Sequence, residues 1–366
     1  MAGSTSFRPA VLALLPFTVN DSLQLAILRE MRQRDIDVFI AVLEQGSGGY
    51  TADAAEDFRS DQRLIDMRGL KISKSVNFIS EIVANFKIEL LLQVGAPSAY
   101  CQIPYVKEIN PSVKIIDTLY NRSAHSLDHF LYEKCFDAVV VESQDMRGFI
   151  ASNTAKADAQ IHVIESGIDL GRFSPTTNLE GEPGQKPFVV GYLGRMSPEK
   201  NPLGFVDLAE RLHQVIPELR FRIYGEGPMA AQVSARIASS SASKTIVFEG
   251  FAESSAAALA EIDVLVVPSK LDGRPNVIME ANGCGVPVIG APVGGIPELI
   301  VPGVNGFVLA PDRHIEITDL LARWLADPME FAVIQASSRS MAEKRFDRSR
   351  MMDAYEAVYR RFLPAG

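Results

Sequence analysis

Short apolar runs alternate with longer amphipathic stretches through the first half of the chain. The runs at 11–15, 37–43 and 138–141 have the length of strands and, apart from Asp37 at the start of the second, the uninterrupted apolar character of strands buried on both faces of a sheet. The stretches at 73–86 and 143–152 place their apolar residues at helical spacing. Strands that alternate with helices in this way predict a parallel sheet with helices on both faces.

The second half of the chain repeats this alternation after a break. Residues 174–187 contain few apolar side chains and several prolines and glycines, which predicts a linker. Strands and helices then alternate up to Asp312, and the rest is helical. We therefore predict an α/β fold of two Rossmann-like, doubly wound domains at 1–177 and 178–345, followed by a C-terminal helix at 346–366. The site is expected in loops that follow strands, at a cleft between the domains.

The first helix is predicted to run to Arg34, with Asn20 or Asp21 as its amino-terminal cap. Together with Arg34, the side chains of Arg29 and Arg32 give this helix a basic character. Such a face fits peripheral contact with an anionic membrane, but a solvated helix face is the commoner explanation.

Composition narrows the choice of partners and compartment. The 366 residues include 36 Lys and Arg against 45 Asp and Glu, and the net charge of −9 opposes binding to nucleic acid. Cys101, Cys135 and Cys284 lack the spacing of a disulfide framework or a zinc site, so we expect a cytoplasmic protein without a bound metal. No apolar run reaches the ~20 residues of a membrane-spanning helix.

One candidate anion site follows the first strand of the second domain. Gly194, Arg195 and Lys200 lie in a loop that ends at a helix predicted to have Asn201 as its cap and Pro202 as its first residue. Two cations beside a helix amino terminus suit a diphosphate, because the guanidinium, the ammonium and the helix dipole all favour negative charge. By spacing alone, two surface cations on a solvated loop fit equally well.

A second candidate segment contains two carboxylates. Asp272 lies in a loop after a strand, and Glu280 lies on the helix that follows. A glutamate in this place can accept hydrogen bonds from the two vicinal hydroxyls of a ribose, and the N–H groups near Asn276 and Val277 can meet phosphate oxygens. A turn aspartate and a surface glutamate are the alternative interpretation. The glycine-rich turn at 225–228 permits a close backbone approach but is a weak signal alone.

Motifs of other enzyme classes are absent. No GxGxxG follows a predicted strand, and neither GxxxxGK[ST] nor GxSxG occurs, which disfavours dehydrogenases, P-loop kinases and α/β-hydrolases. The chain instead resembles the retaining GT-B glycosyltransferases, in particular the large family four. The resemblance covers roughly residues 160–310 and rests on six segments in the family's order: 166–173, which is similar to NGID-x-x-x-F, Gly194-Arg195 with Lys200, 225–228, 272–280 at the place of E-x7-E, 283–289 and 294–300.

The resemblance implies a role for each matching residue. Arg195 and Lys200 would bind the donor diphosphate and offset charge on the departing nucleoside diphosphate, without a metal cofactor. Glu280 would hold the ribose, Asp272 would hold the donor sugar, and the C-terminal helix would pack back on the N-terminal domain. The donor would also be contacted by neighbouring residues: Gly194, Gly225, Arg274, Pro275, Asn276 and Val277.

Three departures from the family pattern concern the donor sugar and the acceptor. Asp272 stands where the family has glutamate, which shortens the side chain by about 1.5 Å. Residues 17–20 lack the usual glycine pair, and residues 117–121 lack the usual active-site histidine. Asn121 and His125 are the candidates to face the cleft on this side, with His125 in a catalytic role. Polar loop residues packed on the following helix are the alternative.

The resemblance implies an enzyme that moves a sugar, with retention, from a nucleoside-diphosphate sugar to a hydroxyl of a carbohydrate, lipid-linked or small-molecule acceptor, in polysaccharide or glycolipid synthesis. A GT-B epimerase or phosphorylase is an alternative enzyme, because these share the architecture. A non-catalytic module that binds sugar nucleotides is the alternative from another class. Hydrolysis of a donor by the purified protein would separate these two classes.

Overall fold

The computed structural model describes residues 8–18, 22–44, 54–68, 77–120, 122, 125–175, 187–252 and 254–364, without the side chains of residues 125 and 126. The chain forms two compact units. Unit 1 comprises Met1–Glu165 and Met351–Gly366, and unit 2 comprises Ser166–Arg350. Each unit is built around its own parallel sheet.

The first unit boundary precedes the predicted linker because the segment after Glu165 packs in unit 2. The Ile168 N–H donates to the Phe346 carbonyl at 2.7 Å, and the Arg348 N–H donates to the Ile168 carbonyl at 3.0 Å. Phe173 and Phe346 are buried in the same hydrophobic cluster. The boundaries at 165/166 and 350/351 therefore differ from those predicted at 177/178 and 345/346.

Unit 1 contains a seven-stranded parallel sheet in the order β3-β2-β1-β4-β5-β6-β7. Its strands are β1 (Ala10–Leu15), β2 (Asp37–Val42), β3 (Leu64–Asp66), β4 (Leu90–Gln93), β5 (Lys114–Leu119), β6 (Ala138–Val141) and β7 (Ile161–Val163). Its helices before the unit boundary are α1 (Leu23–Gln33), α2 (Glu56–Ser60), α3 (Phe78–Asn85), α4 (Ile103–Ile109), α5 (His125–Tyr132) and α6 (Gln144–Asn153).

Unit 2 contains a six-stranded parallel sheet in the order β10-β9-β8-β11-β12-β13. Its strands are β8 (Val189–Leu193), β9 (Arg220–Tyr224), β10 (Ile246–Gly250), β11 (Val264–Val267), β12 (Val288–Gly290) and β13 (Gly306–Val308). Its helices are α7 (Pro202–Val215), α8 (Ala230–Ala238), α9 (Ser255–Leu259), α10 (Asn276–Gly283), α11 (Ile296–Leu299), α12 (His314–Ala326) and α13 (Pro328–Arg345). The last helix, α14 (Arg348–Phe362), begins at the end of unit 2 and continues in unit 1.

Both faces of the unit 1 sheet are buried, as the uninterrupted apolar strands predict. In β1, Val11, Ala13 and Leu15 belong to one hydrophobic cluster, whereas Leu12 and Leu14 belong to the cluster on the opposite face. The first cluster is completed by apolar side chains of α14, namely Met351, Met352, Tyr355, Val358 and Tyr359. Within the residues that the structure describes, no helix is both long and apolar enough to span a membrane.

The first helix begins one or two residues later than predicted. The Ser22 hydroxyl caps α1 by accepting from the Leu25 N–H at 3.3 Å. The predicted caps, Asn20 and Asp21, lie outside the described residues. Ser22 has the same capping chemistry as those residues, so the sequence signal for a cap was ambiguous by one or two positions.

The α1 arginines form ion pairs with carboxylates of the same unit. Arg29 and Arg32 lie 2.8 and 3.7 Å from oxygens of Asp57, and Arg34 lies 2.7 Å from a Glu356 oxygen. The positive charges of α1 are therefore largely balanced by neighbouring carboxylates. This pairing favours the interpretation of a solvated helix face.

Replacing Asn305 with alanine is expected to destabilise unit 2. Its fully buried side-chain amide donates to Asn282 Oδ1 at 2.7 Å and to the Leu299 carbonyl at 2.8 Å, and its Oδ1 accepts from the Val301 N–H at 2.7 Å. Alanine leaves these groups buried without partners, at a cost of about 3 kcal/mol. Calorimetry should show a thermal unfolding midpoint lower by roughly 6–12 °C. The exposed Asn153→Ala is the control, and an equal loss in both variants would contradict the prediction.

Candidate active site

Three loops at the carboxyl edge of the unit 2 sheet are joined by backbone hydrogen bonds. The Met196 N–H, after β8, donates to the Glu226 carbonyl, after β9, at 2.7 Å. The Lys270 N–H, after β11, donates to the Glu199 carbonyl in the β8 loop at 2.8 Å. The segments that the sequence singled out therefore come together at one end of one sheet.

Glycine is required at two positions of this edge. Gly225 has φ +139°, and a Cβ there would lie 1.9 Å from the Gly194 carbonyl oxygen. Gly294, in the loop after β12, has φ +51°, and a Cβ there would lie 1.7 Å from the Asp272 carbonyl oxygen. Gly194, Gly225 and Asp272, which were all predicted as site residues, thus lie where two backbone segments touch.

Lys200 and Asp272 form a direct ion pair. Lys200 Nζ lies 2.7 Å from Asp272 Oδ2, which also accepts a hydrogen bond from the Ser269 hydroxyl at 3.0 Å. The Asp272 side chain is only 7% exposed, whereas that of Lys200 is 30% exposed. Sequence reasoning treated the two residues separately and missed Ser269, because no spacing rule links a serine to a carboxylate three residues on.

Arg195 and Lys200 act on the same neighbouring carboxylate. Burial raises the pKa of Glu199, but hydrogen bonds from the Ser197 hydroxyl and from the Glu199 N–H, together with the smaller effects of the Arg195 and Lys200 charges, outweigh burial, so the pKa is lowered. Arg195 is exposed, and its backbone is held by a hydrogen bond in which its carbonyl oxygen accepts from the buried Tyr192 hydroxyl at 2.9 Å. Two positive charges are thus placed around Glu199 at the end of β8.

Asn201 occupies the predicted cap position of α7, but its side chain makes no capping hydrogen bond, which corrects that part of the prediction. Its backbone is left-handed, with φ 54° and ψ 50°, and its side chain makes no cap hydrogen bond. The amide instead donates to the Pro268 carbonyl at 3.0 Å and packs where a Cβ of Gly204 would otherwise lie. Asn201 therefore ties the β8 loop to the end of β11, while Pro202 begins α7 as predicted.

The amino terminus of α10 lies at the same edge. Arg274 and Pro275 are buried, Asn276 is exposed and Val277 is half-buried. The helix begins at Asn276, so its first N–H groups lack carbonyl partners within the helix and carry the positive end of the dipole. This part of the site is suited to an anion.

Glu280 lies one turn into α10. Burial raises the pKa of its carboxyl group, against the opposing effects of the Arg172 charge and of a hydrogen bond from the Ser255 hydroxyl. The Glu280 carboxylate also contributes to raising the pKa of the Cys284 thiol to about 11, after burial as the main cause. A half-buried carboxylate can accept hydrogen bonds from hydroxyl donors.

The two predicted site residues of unit 1 lie wholly or partly outside the described residues. Asn121 lies outside the described residues, and His125 begins α5 with a side chain that is also outside them. His129 is fully buried, and its Nδ1 lies 2.7 Å from Asp117 Oδ2, which also accepts from the Tyr100 hydroxyl at 2.9 Å. The aspartate within an apolar strand was the sequence signal for this buried network, which ties α5 to β5.

No metal centre or disulfide is found in the described part of the chain. Among those residues, no three histidine, cysteine, aspartate or glutamate side chains converge as a metal site. Cys101, Cys135 and Cys284 are all free thiols.

Comparison with known proteins finds similarity in the part of the chain that contains these loops. Residues 178–344 match the family model of Glycosyl transferases group 1. The chain is 35% identical over 129 residues to the Vi polysaccharide biosynthesis protein VipC/TviE of Salmonella typhi, covering 35% of this chain and 22% of that protein. It is 30% identical over 199 residues to D-inositol 3-phosphate glycosyltransferase of Actinosynnema mirum, covering 50% and 46%. The matches thus span less than half the length of either relative.

The fold is similar to that of Anabaena Alr3699/HepE, solved in complex with UDP. The two chains share 18% sequence identity with a TM-score of 0.78, and the likeness covers 96% of this chain and 100% of the other. The prediction of an α/β chain with two Rossmann-like, doubly wound domains is confirmed, and the fold is GT-B.

Replacing Glu280 with glutamine is expected to stabilise the protein at neutral and basic pH. Because the folded-state pKa is raised, ionisation penalises the folded state above that pKa, and the penalty is absent below the unfolded value. The variant should melt at a higher temperature than wild type at about pH 8 and at the same temperature at about pH 4. The exposed Glu226→Gln is the control. A lower midpoint for Glu280→Gln at about pH 8 would mean that Ser255 and Arg172 outweigh burial.

Proposed function

We propose that this protein is a retaining glycosyltransferase that moves a sugar from a nucleoside-diphosphate sugar to a hydroxyl acceptor. The observation that carries the proposal is that Arg195 and Lys200 lie in the loop after β8, which is hydrogen bonded to the loop that leads from β11 into the amino terminus of α10. The match to the family model over residues 178–344 supports it, because that range contains every one of these groups.

The cations are proposed to bind the diphosphate and to stabilise the charge that develops on the leaving group. The guanidinium of Arg195 can grip two phosphate oxygens, while the Lys200 ammonium adds a compact charge. Both are held by loops that are fixed before a ligand arrives, so little reorganisation is needed in the transition state. We propose that these charges take the place of a metal ion.

Glu280 is proposed to accept from the ribose hydroxyls, and the first N–H groups of α10 to meet phosphate oxygens. A carboxylate one turn inside a helix lies about 6 Å along the axis from the helix start, at 1.5 Å per residue. This separation suits a ligand with a ribose at one end and a phosphate at the other. Gly194 and Gly225 are proposed to let the nucleotide lie close to the backbone.

The reaction is proposed to need no protein nucleophile. The departing phosphate, held by Arg195 and Lys200, takes the proton of the acceptor hydroxyl as that oxygen attacks the anomeric carbon on the same face. The bond to the phosphate breaks as the new glycosidic bond forms, so the configuration is retained. Asn121 and His125 remain proposed contacts to the acceptor from unit 1.

A carbohydrate, lipid-linked or small-molecule acceptor is proposed, and the names of two relatives support the first and the third of these classes. One acts in the biosynthesis of the Vi polysaccharide, and another is a glycosyltransferase of D-inositol 3-phosphate. The HepE structure contains UDP, which makes uridine nucleotides the first donors to test. The cytoplasmic location is proposed from the cysteine usage alone.

Nucleotide sugars should raise the thermal stability of the protein. A ligand that binds only the folded state stabilises it by about 2.7 kcal/mol at 100 times its dissociation constant. Melting temperatures should be compared with UDP-glucose, UDP-N-acetylglucosamine, GDP-mannose and ADP-glucose. Free glucose and free uridine are the controls, because neither contains a diphosphate. The absence of any shift across the panel would contradict the proposed donor class.

Lys200→Ala is expected to retain the fold and to lose catalysis. Removal of one charge-stabilising group should lower the rate by about 10²–10³-fold. The readout is release of free sugar and nucleoside diphosphate from the donor, which needs no known acceptor. Lys244→Ala, at the amino end of β10, is the matched control.

A second variant, Lys200→Gln, removes the charge but keeps a donor for the Asp272 carboxylate, so it separates lost charge from local unfolding. Equal rates in Lys200→Ala and wild type would contradict the role of Lys200. Wild-type protein that binds donors but never cleaves them would favour a binding module over an enzyme.

A further inference from the structure

The carboxylate at the first position of the E-x7-E segment is enclosed. Asp272 Oδ2 is held by Lys200 Nζ at 2.7 Å and by the Ser269 hydroxyl at 3.0 Å, and its side chain is 7% exposed. The Lys200 side chain is 30% exposed. A ligand that arrives from solvent therefore meets the ammonium more readily than the carboxylate.

The backbone around Asp272 is also fixed. The Asp272 carbonyl oxygen lies where a Cβ of Gly294 would be, and the adjacent Gly273 carbonyl accepts from the Gly295 N–H at 2.7 Å. On the opposite side, the Asn201 amide holds the Pro268 carbonyl at 3.0 Å. The carboxylate thus extends from a loop that is tied at both ends.

Resting on the proposed function, we propose that Asp272 and Ser269 are positioning residues that hold the Lys200 ammonium toward the donor diphosphate. The family resemblance instead implies a direct contact between this carboxylate and the donor sugar. Asp272 is one carbon shorter than glutamate, is enclosed, and already has two donors on one oxygen. An ammonium has three N–H donors, so Lys200 can keep one on Asp272 while the others meet phosphate oxygens.

The two roles predict different responses to a ligand that has no sugar. A sugar contact leaves the affinity for a free nucleoside diphosphate unchanged, because the contacted group is absent. A positioning role lowers that affinity, because Lys200 without its partner must be immobilised when the phosphate binds. Fixing one long, flexible side chain accounts for roughly a tenfold change.

The test measures UDP, GDP and ADP binding by titration calorimetry, and continues with the tightest of them. We expect Asp272→Asn to bind that nucleotide about tenfold more weakly than wild type. In the Lys200→Ala background, the same substitution should change the affinity by less than about twofold, since there is no ammonium left to position. Such a dependence on Lys200 is not expected of a residue that only supports the fold.

Matched variants separate position from charge. Glu199→Gln removes the negative charge of a neighbouring carboxylate but keeps an acceptor for the Ser197 hydroxyl. It therefore reports the effect of lost charge on the same site. Ser269→Ala should weaken binding in the same direction as Asp272→Asn, and by less, because the Lys200 contact remains. Asp272→Glu should bind the nucleotide more tightly than Asp272→Asn does, because it restores a carboxylate for Lys200.

Each other outcome overturns the proposal. Unchanged nucleotide affinity in Asp272→Asn, with weaker binding of the intact sugar nucleotide, would establish a sugar contact. Tighter binding in Asp272→Asn would mean that Asp272 only competes with phosphate for Lys200. An equal loss with and without Lys200 would mean a general structural effect. If wild-type protein binds none of the three nucleotides, the proposed function itself fails, and the positioning role with it.

Discussion

The ion pair between Lys200 and Asp272 is the contact on which the candidate site depends. It joins the loop after β8 to the loop after β11, and these strands are neighbours in the unit 2 sheet. Parallel strands all end at the same edge, so residues 72 positions apart in sequence meet there. The enclosed carboxylate gives the lysine a fixed partner, and a fixed cation is more useful to a developing negative charge than a mobile one.

The rest of this edge is shaped mainly by the backbone. Gly225 and Gly294 let two chain segments touch, and Asn201 adopts a left-handed conformation that turns its amide onto the end of β11. Glu280, in contrast to these backbone contacts, lowers the stability of the folded state at neutral pH, because burial disfavours its charged form. A carboxylate retained under that penalty is typical of a functional position. The buried His129, paired with Asp117, is explained by packing of α5 instead.

The fold was predictable because its signals are local and repeated. A strand such as β1 is apolar at every position, and only burial on both faces accounts for that pattern. Two short elements were not predicted, since the three residues of β3 and the five of α2 span at most about one and a half periods of a strand or helix pattern. The unit boundary at residues 165/166 was also missed, because it depends on the pairing of Ile168 with a segment almost 180 residues away.

For the site, the sequence by itself determined which segments carry charge and that each follows a strand. Both can be read from the succession of strands and loops along the chain and from the composition of each loop. It placed Arg195 and Lys200 together in one such loop and Asp272 in another, without relating Asp272 to either cation. Only the tertiary structure decided that Lys200 pairs with Asp272, that Ser269 joins them, and that the side chain of Asn201, at the predicted cap position, donates to the end of β11 and not to α7. These outcomes depend on which strands become neighbours and on a few ångströms of side-chain reach, and neither is encoded in local spacing.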